Sequence, residues 1–200
     1  MSNVRVKKRN GSIEPMNLEK MHVMVERACS DLAGVSASQV EMQSGIQFYN
    51  GITTDEIQGI LIKSASDLIS LEQPNYQYVA ARLLLFSLRK SLYGKIYEIP
   101  HLKDHIDKCV ENGVYDPAVN DKFTVGEINE LEKYLDHDRD YLFTYAGLRQ
   151  VADKYLVQDR SSGQVYETPQ FMYMLIAMTM FAEYDSCLLY TSDAADDIPR

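Results

Sequence analysis

Asn10-Gly11, set between Val4 and Val6 on one side and Ile13 on the other, confines the start of this chain to a tight β-hairpin. A two-residue hairpin turn needs positive φ at both central positions, and Asn and Gly tolerate that best. Asn17 then stands as the N-cap of an apolar-periodic helix, so a strand pair and a helix entrance are packed into the stretch Val4–Lys20. Arg5, Lys7, Lys8 and Arg9 put four cations and no acid on or beside the turn. Cations and the unpaired N–H groups of a helix start together attract a polyphosphate. A basic terminal strand also serves as a solvated sheet edge, where lysines discourage edge-to-edge pairing. The residues alone leave both readings open.

Downstream the pattern is helical. Leu18, Met21, Val25, Ala28 and Leu32 recur at helical spacing and predict a helix whose apolar stripe is core, closed by Gly34. A second helix is expected from Ser36 to Tyr49, ending at Asn50-Gly51. Thr53 or Thr54 caps a third, with Ile57, Ile60, Leu61, Ala65, Leu68 and Ile69 inward. Pro74 starts a fourth, Asn75 to Tyr93, stopped by Gly94, whose middle VAARLLLF requires burial on nearly all sides. Residues 1–95 therefore read as one module, and Ile96 to Pro100 as a linker. Further helices are expected at His101–Gly113, at Thr124–Asp136 with a Thr124/Glu127 capping box, and at Tyr141–Tyr155. A second hairpin joins Leu156-Val157-Gln158 to Gln164-Val165-Tyr166 through Ser161-Ser162-Gly163, and Thr168-Pro169 opens a last helix that is apolar all round. Such a helix needs a larger body to bury it. The expected class is mainly α: a small β-hairpin with four helices, then a helical region with a second short hairpin.

Several functions are argued against by charge and spacing. A net charge of −9 disfavours a general nucleic-acid binder. Cys29, Cys109 and Cys187 lie far apart without a CxxC pair, so neither a disulfide framework nor a zinc ribbon is indicated, and a reducing cytoplasm fits best. Phe171–Ala182, the longest apolar stretch, falls short of the roughly 20 residues a membrane span needs. His101 and His105 stand at i, i+4 but lack a third ligand, and are expected on an exposed helix face rather than at a metal. Asp136-His137-Asp138-Arg139-Asp140 reads as a capping and ion-pair junction, and Ser161-Ser162-Gly163 as a turn lacking the strand-to-helix setting of a nucleophile. No catalytic residue and no metal site is expected.

The runs KKRNGSIEPMNLEK, IQFYNGITTDEIQGILIKSASDLI and YQYVAARLLLFSLRK resemble the ATP-cone of the large subunit of class Ia ribonucleoside-diphosphate reductases. The likeness continues through DHDRD and KYLVQDRSSGQVYETPQFMY, to about Tyr184. It implies an ATP- or dATP-binding allosteric region in residues 1–95, with magnesium on the nucleotide, followed in residues 96–186 by the start of the large subunit's helical domain. In the resembled family basic residues hold the effector's phosphates, matching Lys8, Arg9, Lys20 and Lys90. Its adenosine end is held at positions matching Glu14 and Asn17, with Thr54 nearby. Gln58 stands where the family often has a histidine associated with telling ATP from dATP; glutamine still hydrogen-bonds but cannot become a cation. The resemblance also implies a homodimeric parent, a radical-generating small subunit, thioredoxin or glutaredoxin as reductant, and a thiyl-radical chemistry whose cysteines this chain does not match. Cys29 and Cys109 read instead as packing residues. A stand-alone cone acting as nucleotide sensor or transcriptional repressor is the rival, though such a repressor carries a zinc ribbon; a helical scaffold with an incidental basic hairpin is a third reading. From Cys187 the chain reads CLLYTSDAAD, which looks like translated adapter sequence, so residues 187–200 are set aside as non-native.

Overall fold

The computed structural model describes residues 4–182. The stretch from Cys187 onward, expected to be non-native, lies outside the described residues. The chain divides into two compact units, one of residues to Ser87 with Tyr141–Gln150, the other of Leu88–Asp140 with the residues from Val151 onward.

In the first unit, β1 (Arg5–Lys7) pairs antiparallel with β2 (Ile13–Pro15) and parallel with β3 (Ile52–Thr53), in the order β2-β1-β3. The basic strand is thus the centre of a sheet, not a solvated edge. Val6 and Ile52 face each other in register and are both buried, whereas Arg5 and Lys7 alternate to the open face, as strand geometry requires. The expected two-residue turn is not what forms. Gly11 N donates to Lys8 O at 2.9 Å and Lys8 N to Ser12 O at 2.8 Å, and only Gly11, at φ 85°, is left-handed. The loop is therefore a β-turn followed by a glycine bulge. Asn10 contributes its side chain instead of its backbone: Oδ1 accepts from Ser12 N and Oγ at 3.0 and 2.8 Å.

Helix α1 (Leu18–Cys29) buries Val25 and Ala28, but Leu18 is half exposed, so the stripe is core only from its second turn on. Its C-terminal carbonyls are capped from another helix, Arg82 Nη1 reaching Ser30 O at 2.6 Å and Ala28 O at 3.3 Å. Helix α2 (Ala37–Gly45) stops four residues short of Tyr49, because the chain must straighten into β3. Helix α3 (Thr54–Asp67) begins on a capping box in which Thr53, not Thr54, is the cap and Glu56 its partner. It buries Leu61 and Ala65 but leaves Ile69 exposed, correcting that inward assignment. Helix α4 (Tyr76–Tyr93) buries nearly every residue from Val79 to Phe86. Tyr76, fully buried, accepts from Ser36 N at 3.0 Å and donates to Gln39 Oε1, which ties the start of α2 to the start of α4. The Tyr141 ring lies edge-on to Phe86 at 6.2 Å.

The second unit carries α5 (Leu102–Glu111), α6 (Ala118–Lys122), α7 (Val125–Glu132), a 3-10 helix (His137–Leu142, to Asp140 in this unit), the end of α8 (Tyr145–Lys154), the hairpin β4 (Gln158–Asp159) and β5 (Gln164–Val165), and α9 (Pro169–Phe181). The Thr124/Glu127 capping box forms as read. Leu102, Ile106, Ile128 and Leu131 pack with Phe171 and Met178 of α9, while Tyr173, Ile176 and Met180 leave part of that apolar helix exposed. The mainly α class, with a small sheet and a second hairpin, is as the sequence predicts.

One assignment changes here. His101 is exposed and bonds Glu132 at 2.8 Å, but His105 is 3% exposed and stacked on Phe171 at 4.2 Å, so the pair is not one exposed face. His105 Nε2 lies 3.1 Å from Tyr115 Oη, and Tyr115 donates to buried Glu167, whose other oxygen accepts from Val157 N at 2.7 Å. With the hydroxyl proton committed to Glu167, His105 is the donor of its own bond and is held as the neutral Nε2–H tautomer. The acidic run is a capping and ion-pair junction, Asp136 Oδ1 accepting from Asp138 N at 3.0 Å and Oδ2 lying 3.8 Å from Arg139 Nε, and it reaches the interior at Asp140, fully buried against Arg89 at 3.3 Å.

Candidate functional site

The first unit brings seven of the eight predicted positions into one sheet-and-helix assembly: Lys8, Arg9, Glu14, Asn17, Lys20, Thr54 and Gln58. Asn17 is the N-cap of α1, its Oδ1 accepting from Lys20 N at 2.8 Å. Lys20 follows in the first turn with its side chain exposed and in no ion pair among the described residues. The pairing of β1 with both β2 and β3 places the hairpin beside the entrance to α3, and Asn50 Oδ1 fixes it there by accepting from Arg5 N at 2.9 Å.

Lys8 and Glu14 face each other across the hairpin at 3.5 Å. Arg9 reaches from the hairpin to the first turn of α3, Nε and Nη2 meeting Asp55 Oδ1 at 3.0 and 2.7 Å. Thr54 is the first residue of that helix, next to this pair. One turn on, Gln58 is 5% exposed; its Nε2 donates to Met24 Sδ of α1 at 3.3 Å, and its Oε1 is buried with no hydrogen-bond partner. A buried acceptor left without a protein donor can take a hydrogen bond from water or from a ligand. The unit thus carries three cations, two helix starts and this acceptor, a set suited to an anionic ligand with a hydrogen-bonding end.

Lys90 belongs to the second unit, near the end of α4, where it lines a shallow cavity of about 320 Å³ with Gly94–Glu98. Asp55, Met24 and Asn50 were not among the predicted positions. An acid in a first helical turn is a visible signal, but its partner lies 46 residues away and no local pattern names it.

Among the described residues the two thiols offer no ready nucleophile: burial pushes Cys29 and Cys109 up to about 11, which keeps both protonated at neutral pH. Among the described residues no His, Cys, Asp and Glu cluster could hold a metal ion, and no helix is long and apolar enough to cross a membrane.

Residues 4–91 match the ATP cone domain family, and residues 141–197 match the ribonucleotide reductase all-alpha domain, a match that runs into the stretch set aside above. The chain is 48% identical over 182 residues to the ribonucleoside-diphosphate reductase 1 subunit alpha of Escherichia coli, covering 91% of this chain and 24% of that protein. It is 46% identical over 179 residues to the subunit alpha of Haemophilus influenzae, covering 90% and 24%. It is 49% identical over 149 residues to that of Enterobacteria phage T4, covering 74% and 20%. The chain thus spans about a quarter of the length of the two bacterial relatives and a fifth of the phage one.

Proposed function

This chain joins an ATP cone domain to the ribonucleotide reductase all-alpha domain, and from that premise we propose that its first unit binds ATP or dATP as an allosteric effector of a class Ia ribonucleoside-diphosphate reductase large subunit. The observation that supports the reading is that one unit carries Lys8, Arg9 and Lys20, the starts of α1 and α3 and the unpartnered Gln58 Oε1. The three cations are assigned to the phosphates, with magnesium on the nucleotide; Lys90 is assigned there on the resemblance alone. Glu14, Asn17 and Thr54 are assigned to the adenosine end. Gln58 Oε1 is assigned to accept from a ligand N–H or O–H.

The same reading makes the parent a homodimeric large subunit in the cytoplasm, working with a radical-generating small subunit and with thioredoxin or glutaredoxin as reductant. It reduces ribonucleoside diphosphates with residues other than those described here. A stand-alone nucleotide sensor is the weaker reading, because the all-alpha match follows the reductase arrangement.

Charge-assisted hydrogen bonds contribute roughly 1.5–3 kcal/mol each and do not add fully. Lys8→Gln together with Arg9→Gln in the intact chain should therefore weaken ATP binding by about 30- to 100-fold in equilibrium dialysis at low salt. Unchanged affinity in a folded double variant would place the phosphates elsewhere.

A further inference from the structure

We propose that Asp55 is a resident competitor for the effector: without nucleotide its carboxylate occupies Arg9, and an incoming phosphate must displace it. This rests on the reading of the first unit as a nucleotide site and concerns how that site is regulated.

The geometry is specific. Arg9 Nε and Nη2 both lie on Asp55 Oδ1, at 3.0 and 2.7 Å, linking the hairpin to the first turn of α3. A carboxylate oxygen and a phosphate oxygen make the same charge-assisted contacts to a guanidinium, and one N–H cannot donate fully to both. Both side chains keep water, at 41% and 62% exposure, so the pair is exchangeable and not a buried strut. Once released, Asp55 still sits in the first turn of α3, where the helix dipole favours an acid. Displacement therefore costs an exposed ion pair while Asp55 keeps a favourable place. Lys8 is likewise met by Glu14, at 3.5 Å, whereas Lys20 is in no ion pair among the described residues.

Such a competitor lowers the affinity for every nucleotide whose phosphate meets Arg9 by a common factor, without reading base or sugar. Asp55 thus sets the effector concentration at which the site fills and leaves ATP-against-dATP discrimination to other groups.

The test is titration calorimetry of ATP into the intact chain for the unmutated protein, Asp55→Asn, Arg9→Gln and the double variant, with Asp55→Ser as a second replacement that suits a helix start. Circular dichroism confirms that each is folded. Asp55→Asn and Asp55→Ser should each tighten ATP about two- to fivefold, the range an exposed ion pair contributes, and the gain should vanish in the Arg9→Gln background. Unchanged or weaker binding, or an equal gain with and without Arg9, overturns the proposal while leaving the nucleotide reading intact. Absence of ATP binding by the unmutated chain overturns that reading, and this proposal with it.

Discussion

Replacing Arg89 by methionine is expected to destabilise the second unit by about 3–5 kcal/mol at pH 8, because it leaves the Asp140 carboxylate buried without its counter-charge. Arg89 and Asp140 are 3% and 0% exposed, 3.3 Å apart; Arg89 Nη2 also donates to His137 O at 2.6 Å, and Gln170 Nε2 to Asp140 Oδ1 at 3.3 Å. Burial pushes Asp140 up to about 6 even though the guanidinium opposes the rise. Below that pH the acid takes a proton and needs Arg89 less, so the penalty should shrink at pH 5. Urea unfolding of both proteins at the two pH values reads this directly. Adding Asp140→Leu to the methionine variant should recover much of the loss, since an apolar pair of similar volume is often neutral in such a place. A loss below about 1 kcal/mol at pH 8 would show that the pair is not the buried contact described.

The second large effect is acid lability through His105. Burial holds this imidazole down to about 4, with the Lys108 and His137 charges adding to the effect, against 6.5 in the unfolded chain. Between pH 6.5 and 4 the unfolded chain takes up a proton that the folded one refuses, so stability falls with pH across that window. Complete titration amounts to about 3 kcal/mol, at 1.36 kcal/mol per pH unit. His137, held down to about 4 chiefly by burial, acts in the same direction. Asp140 and Glu167, both raised by burial, act oppositely, gaining stability as pH falls toward the ordinary carboxylate range. Comparison with His105→Gln isolates the contribution. The variant should lose about 3 kcal/mol less than the unmutated chain between pH 7 and 4, whatever its absolute stability. Equal losses would mean that His105 is protonated in the fold.

What was legible in the sequence was what local chemistry writes. Asn17, the Thr124/Glu127 box and Gly94 each act within one helical turn, and each stands where it was read. The Asn10-Gly11 hairpin was legible as a hairpin but not as a turn type, because Asn10 serves through its side chain and only Gly11 takes positive φ. Strand β3 was missed, since a two-residue parallel strand gains its identity from β1 some 45 residues away. His105 could have been found: Leu102, His105, Ile106 and Cys109 trace one apolar face, and the i, i+4 spacing to His101 drew attention to the wrong partner. The candidate site was legible as a set of charges and caps. The contacts that organise it, Arg9 with Asp55 and Gln58 with Met24, join residues 46 and 34 apart and have no local signature.

If the first unit is a nucleotide-effector site, titration calorimetry of ATP and dATP into the intact chain will show saturable binding of both nucleotides, weakening as salt rises because the contacts are cationic. A demonstrably folded sample that gives no saturable heat with either nucleotide at millimolar concentration would contradict it.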